Sequence, residues 1–152
     1  MPMIHGEPQN MDTKIESLGK CKIDSPLSHV DWVDDTNHIL YDVSAESIEE
    51  CFKQGKVPVS FLKAGPRKKI YFDLSKLKCA IVTCGGLCPG LNNVIRSIVL
   101  TLFHTYGVSN ILGIRYGFQG FIPKYGHPVL ELNPNTVSQI NELGGTILSS
   151  SR

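Results

Sequence analysis

Nine consecutive residues, Cys84-Gly85-Gly86-Leu87-Cys88-Pro89-Gly90-Leu91-Asn92, put three glycines, a proline and two thiols between an apolar run and an amphipathic stretch. A glycine-rich turn between a strand and a helix N-terminus suits an anion. The first helical turn has N–H groups without partners, and the helix dipole is positive there. Glycines at 85, 86 and 90 let the backbone approach phosphate oxygens with no Cβ in the way. Pro89 stiffens the turn, and Asn92 either caps the helix or bonds across the loop. No Lys follows Gly90, so this is not a P-loop, and the glycine spacing is not G-x-G-x-x-G. The pattern therefore leaves two readings, a phosphate cradle and a tight turn without a ligand. Cys84 and Cys88 alone make a poor zinc site, so no metal is expected on them.

The flanking segments are the ones such a loop needs. Cys79–Cys84 is a continuous apolar run, as in a strand buried on both faces of a parallel sheet. Apolar residues at Leu91, Val94, Ile95, Ile98, Val99, Leu102, Phe103 and Tyr106 give a helix with one buried stripe, stopped by Gly107. Asn110–Ile114 reads as a second buried strand, completing a right-handed crossover. Beyond it lies the glycine- and aromatic-rich loop Tyr116–Phe121. Val129–Leu132 reads as a short edge strand, Asn135–Leu143 as a helix capped by Asn133 or Asn135, and Thr146–Ser149 as a third strand. Ligands of parallel sheets bind beyond the carboxyl ends of the strands. That edge holds Phe118, either a ligand contact or an aromatic folded on the core. Arg152 follows there, either a phosphate fork or an ordinary terminal charge.

Upstream, residues 1–20 are polar and expected to fray. Residues 21–60 read as irregular apart from a short helix over Ser44–Phe52 with Ser44 as its cap. Lys63–Arg67 reads as a turn and Lys69–Phe72 as a short strand. Residues 1–60 carry 11 acidic and 5 basic side chains, while residues 61–152 carry 3 acidic and 10 basic. The second part either handles anions or has an ordinary surface beside an acidic extension. With 41% hydrophobic and 19% charged residues the composition is that of a globular domain, not a disordered chain. No membrane-length apolar segment or signal-peptide core is present, and five cysteines without framework spacing suggest reduced thiols in a cytoplasm.

Four stretches together carry a family resemblance. Ala80-Ile81-Val82-Thr83-Cys84-Gly85-Gly86-Leu87-Cys88-Pro89-Gly90-Leu91-Asn92-Asn93-Val94-Ile95-Arg96 resembles the first strand, loop and helix of 6-phosphofructokinases, whose usual motif is G-G-D-x-P-G-x-N. Leu87 in place of the acidic residue, with cysteines at 84 and 88, resembles the long-form branch of plants, trypanosomes and some bacteria. That branch is similar to pyrophosphate-dependent relatives yet generally uses ATP. The segment Lys63–Phe72 resembles what this branch carries before its catalytic domain. Gly113–Phe121 resembles G-x-x-x-G-[YF]-x-G, and Gly144–Arg152 resembles G-G-T-x-L-G-[ST]-[AS]-R, with Ser149 where the family often has Gly.

The resemblance implies an α/β fold with a phosphofructokinase-like, Rossmann-like parallel sheet and flanking helices, incomplete here. An N-terminal extension, 1–60, would be partly disordered, and 61–152 would begin the nucleotide-binding domain. The implied activity is ATP-dependent phosphorylation of fructose 6-phosphate in glycolysis. The alternatives are a pyrophosphate-dependent enzyme and a non-catalytic nucleotide-binding remnant. By carry-over, Gly85 and Gly86 contact donor phosphates, Phe118 sits by the adenine or ribose, and Arg152 reaches the phosphates. The family's G-G-D-G and P-K-T-I-D-N-D motifs, which supply the Mg²⁺ aspartate and the catalytic base, do not occur in this sequence. The chain thus reads as an N-terminal fragment, inactive alone, with its Mg²⁺ ligands elsewhere. The resemblance further implies an allosteric, cytoplasmic homo-oligomer. No nucleic-acid or membrane partner is expected.

Overall fold

The structure, a computed structural model, describes residues 11–151. It contains two compact units divided after Tyr71, whereas the sequence suggests a boundary after residue 60. The pairing of strands accounts for the position of the division. In the first unit, β1 (Ile23–Asp24) pairs antiparallel with β4 (Lys69–Ile70), and β2 (His38–Leu40) with β3 (Ser60–Leu62). Residues 60–70 are thereby tied to what precedes them. Between these pairs lies α1, Ala45–Lys53. Ser44 occupies its cap position with extended backbone but makes no side-chain cap bond. Its N–H instead donates to Asp42, whose exposed carboxyl that bond holds below the ordinary aspartate value.

The second unit holds every fully buried hydrophobic side chain among the described residues. Strand β5 (Lys78–Val82) pairs parallel with β6 (Asn110–Ile114), and β6 pairs antiparallel with β7 (Leu130–Leu132). The sheet order β5-β6-β7 leaves β6 central. A parallel pair needs a crossover, supplied by α2, Leu91–Leu100, which runs on through a wider turn at Thr101–Thr105. Gly107, at φ +67°, then reverses the chain in a left-handed conformation that costs glycine little. Ile95 and Val99 face inward and join Val108, Ile111, Leu132, Val137, Ile140 and Leu148 in the core. Burying each such side chain contributes about 1.5–3 kcal/mol. Val94, Ile98 and Phe103 face outward, so the apolar stripe read from the sequence is wider than the buried face.

Three expectations need correction. Strand β5 is not buried on both faces: Lys78 and Ala80, on one face, are exposed, while Cys79 and Ile81, on the other, pack against the core. The helix expected over Asn135–Leu143 is a turn followed by a short 3₁₀ segment, Ile140–Glu142. Asn133 does cap the turn, accepting from the N–H groups of Asn135 and Thr136 at 3.0 and 3.1 Å. The Ser138 hydroxyl then bonds back to the Asn135 carbonyl, a local alternative to helix propagation. Thr146–Ser149 is likewise a turn instead of a strand. Thr146 Oγ1 accepts from Leu148 N–H, and Ser149 N–H reaches Thr146 O. Ser149 sits at φ +58°, outside the strand region.

That turn presses Leu148 against the central strand. A Cβ added at Gly113 on β6 would lie 2.5 Å from Leu148 Cδ2 and 3.2 Å from Leu132 Cδ1. Gly113→Ala should therefore cost about 1–3 kcal/mol through overpacking, read as a lowered urea midpoint with an unchanged slope.

Candidate functional site

Three segments meet beyond the carboxyl ends of β5 and β6. They are the loop after β5, the loop after β6 and the stretch Gly144–Ser151. Thr83, one residue past β5, donates its hydroxyl to Ser149 O at 2.8 Å and lies 3.2 Å from Thr146 Oγ1. Past β6, Tyr116 N–H donates to Leu148 O at 2.8 Å, and Ser151 Oγ donates to Tyr116 O at 2.6 Å. Ser150 Oγ donates to Gly85 O at 2.6 Å. These bonds close the segments around an open cleft of roughly 530 Å³, lined by Gly85, Gly86, Leu87, Gly144, Gly145, Thr146, Ser149, Ser150 and Ser151.

The lining suits a polyanion. It holds glycine backbone and no carboxylate, and since Ser150 and Ser151 already donate their hydroxyl protons to the Gly85 and Tyr116 carbonyls, the donors left for an anion are chiefly backbone N–H groups. Among the described residues, the N–H groups of Gly85, Gly86 and Leu87 have no protein acceptor. A Cβ at Gly85 or Gly86 would meet nothing within 4 Å, so the space before that backbone is open. Gly85 adopts φ +84°, which a side chain would strain, whereas Gly86 carries no such requirement.

The helix N-terminus lies elsewhere. Gly90 begins α2 in a left-handed conformation with no side-chain cap. Pro89, Gly90, Asn92 and Asn93 line an adjoining groove that shares only Gly144 and Gly145 with the cleft. The glycine turn and the helix N-terminus thus line two adjoining grooves that meet at Gly144 and Gly145. Of the alternatives for Asn92, the structure takes the second. Its side chain is 3% exposed, its Nδ2 donates to Leu143 O at 3.0 Å, and its Oδ1 accepts from Ile147 N–H at 2.9 Å.

Of the residues singled out from the sequence, Gly85 and Gly86 line the cleft. Phe118 is not among the lining residues and is not folded on the core. It is 70% exposed, with its ring centroid 6.4 Å from that of Phe121. Arg152 lies outside the described residues. The back wall, Thr146 and Ser149–Ser151, was missed as a set of hydroxyls, although the run Ser149-Ser150-Ser151 was visible. So was the serine at a position where the family often has glycine, and its positive φ gives that preference a cause. A non-glycine residue pays about 1–2 kcal/mol there. Among the described residues no group of three or more His, Cys, Asp or Glu side chains could hold a metal. Cys84 and Cys88 are exposed, while partial burial pushes the Cys79 thiol above its ordinary value.

Asn92→Ala would leave the Leu143 carbonyl and the Ile147 N–H unpartnered where water is scarce. A loss of about 2–4 kcal/mol in denaturant titrations is expected. Asn92→Asp keeps the acceptor but turns an oxygen on the Leu143 carbonyl, which raises the folded-state pKa of the new carboxyl. It should be comparably destabilised at neutral pH and recover as the pH falls and that carboxyl is protonated to a donor.

The phosphofructokinase family model matches residues 78–152. An "ATP-dependent 6-phosphofructokinase" of Borreliella burgdorferi is 46% identical over 148 residues, covering 95% of this chain and 33% of the relative. A protein of the same name from Entamoeba histolytica is 42% identical over 151 residues, covering 95% and 33%. "ATP-dependent 6-phosphofructokinase 4, chloroplastic" of Arabidopsis thaliana is 49% identical over 111 residues, covering 73% and 20%. The chain spans about a third of the length of the first two relatives. The matched segment begins at β5 and includes every residue that lines the cleft. By that segment, the chain belongs to the phosphofructokinase family.

Proposed function

We propose that the cleft is the donor-phosphate site of an ATP-dependent 6-phosphofructokinase. The reaction moves the γ-phosphoryl of ATP to the 1-hydroxyl of fructose 6-phosphate, giving ADP, fructose 1,6-bisphosphate and a proton. The observation that carries this reading is the unpartnered backbone at Gly85-Gly86-Leu87, facing open space opposite the hydroxyls of Ser149–Ser151. Oriented N–H donors in a cleft without carboxylates stabilise charge on phosphoryl oxygens at no reorganisation cost. Arg152, next in sequence after the cleft-lining Ser151, is the proposed guanidinium partner of those phosphates. Phe118 is the proposed contact of the nucleoside.

On this reading the mixed sheet of the second unit is the first part of a larger Rossmann-like domain beginning after Tyr71. The first unit is its N-terminal extension. The assembly is a cytoplasmic homo-oligomer in glycolysis. No helix among the described residues is long and apolar enough to cross a membrane. ATP is the proposed nucleotide, a reading supported by the glycine backbone that lines the cleft. The cleft does not itself fit Mg²⁺, for its lining offers no carboxylate to hold a hard cation.

A pyrophosphate-dependent reaction would use the same backbone cradle. The exposed Phe118 ring favours ATP, because only a nucleotide brings a flat base to stack on it.

Two substitutions test the site in this chain. Gly86→Ala adds a methyl into open space with no backbone strain, so thermal stability should stay within about 0.5 kcal/mol of the parent. If phosphate lies against this backbone, ATP affinity in calorimetric titration should fall about tenfold or more, near 1.4 kcal/mol. Unchanged affinity would return the loop to a simple turn. Phe118→Ala should weaken ATP about five- to tenfold while leaving pyrophosphate within about twofold. Equal losses for both ligands would remove Phe118 from the nucleoside subsite.

A further inference from the structure

We propose that His127 is a positioning residue of the cleft. Its ring clamps the Tyr116 side chain, and the Tyr116 backbone sets the wall formed by Leu148–Ser151. The proposal rests on the nucleotide reading of that cleft for its functional consequence, but not for its geometry.

Tyr116 stands one residue beyond Arg115, which itself follows β6, so no ladder bond of the sheet fixes it. It adopts φ +60°, a left-handed conformation unfavourable for an aromatic residue. Its N–H nevertheless donates to Leu148 O, and its carbonyl accepts from Ser151 Oγ, at 2.8 and 2.6 Å. These two bonds bracket Ser149 and Ser150, both in the cleft lining. Next along the chain, Gly117 packs so close to the wall that an added Cβ would lie 2.9 Å from Ser151 Oγ. The loop after β6 and the wall therefore move together or not at all.

What holds Tyr116 in its unfavourable conformation is its side chain. The His127 ring lies 4.3 Å from the Tyr116 ring, centroid to centroid, and tilted by 34°. Tyr125 stacks against His127 at 5.9 Å with the planes 8° from parallel. The Arg115 guanidinium sits 5.2 Å from the Tyr116 centroid. His127 is thus the middle layer of a Tyr125–His127–Tyr116 stack. Its Nε2 is buried and has no hydrogen-bond partner. The ring therefore acts through its faces, and a phenyl ring supplies faces of similar size. His127 does not line the cleft, so whatever it does there is done through Tyr116.

The test compares His127→Ala and His127→Phe in the full chain with two readouts. Amide hydrogen exchange at Tyr116 reports the bond to Leu148, and ATP titration reports the cleft. His127→Ala should speed Tyr116 exchange and weaken ATP binding, each about five- to tenfold, with β6 and α2 amides as protected as before. His127→Phe should keep both quantities within about twofold of the parent. The proposal is overturned if the alanine variant changes neither quantity, or if the phenylalanine variant behaves like the alanine one. It also fails if protection is lost throughout β6 and α2, since the ring would then support the fold and not the wall. If exchange responds as expected but the parent chain does not bind ATP, the nucleotide reading falls and the clamp on the wall stands.

Discussion

The buried amide of Asn92 ties the start of α2, just past the glycine loop, to the stretch that forms the opposite wall of the cleft. One side chain on the first turn of α2 satisfies a carbonyl at Leu143 and an N–H at Ile147. Both backbone groups belong to a stretch with no ladder and no helix to satisfy them internally. An unpaired buried backbone group costs as much as a lost hydrogen bond or more. Asparagine alone among side chains of its size offers a donor and an acceptor in one plane, so it answers both at once. With that amide in place, Gly144–Gly145 lies between the two grooves and Thr146 comes within reach of Thr83.

The rest of the wall is held from the core side. Leu148 is fully buried and fills the space that Gly113 leaves on β6. Thr146, two residues before it, and Ser149, the residue after it, line the cleft. The hydroxyl bonds from Thr83, Ser150 and Ser151 all end on backbone carbonyls of neighbouring segments. The cleft is therefore shaped chiefly by side chains holding backbone, and the donors it leaves free are chiefly the N–H groups of the glycine loop. Such a surface can meet phosphate oxygens closely without presenting a competing negative charge.

Local periodicity made much of this unit legible. Asn110–Ile114 was readable as a strand because it is central in the sheet and apolar on both sides. The helix at Leu91 was readable because Ile95 and Val99 recur at helical spacing. The glycines at 85 and 86 were visible as chemistry. Reading failed where a short polar side chain competes for the backbone. Ser138 and Thr146 each bond a nearby backbone group and replace a regular element by a turn, and residue type alone does not say which hydrogen bond wins. It failed also where the covering layer was unknown, as for β5, whose apolar run reads as covered on both faces although only the face of Cys79 and Ile81 meets the core. The separation of the helix N-terminus from the glycine cleft had no sequence signal, because it depends on where Gly144–Gly145 passes.

The contacts that shape the cleft are among the longest in sequence within this unit. The two Asn92 bonds join residues 51 and 55 positions apart, and the Thr83 bond to Ser149 spans 66. Each such closure carries a chain-entropy cost that must be met before the bond returns anything, so long-range contacts of this kind form late. The strand, the glycine turn and the helix can all exist locally while the cleft does not. A chain emerging during synthesis has the residues of the cradle long before it has the cradle, which comes into being only when the segment around Ser149 docks. Any anion that binds the closed cleft and not the open chain is thus a ligand of the folded topology, and its binding energy adds to the stability of that last closure.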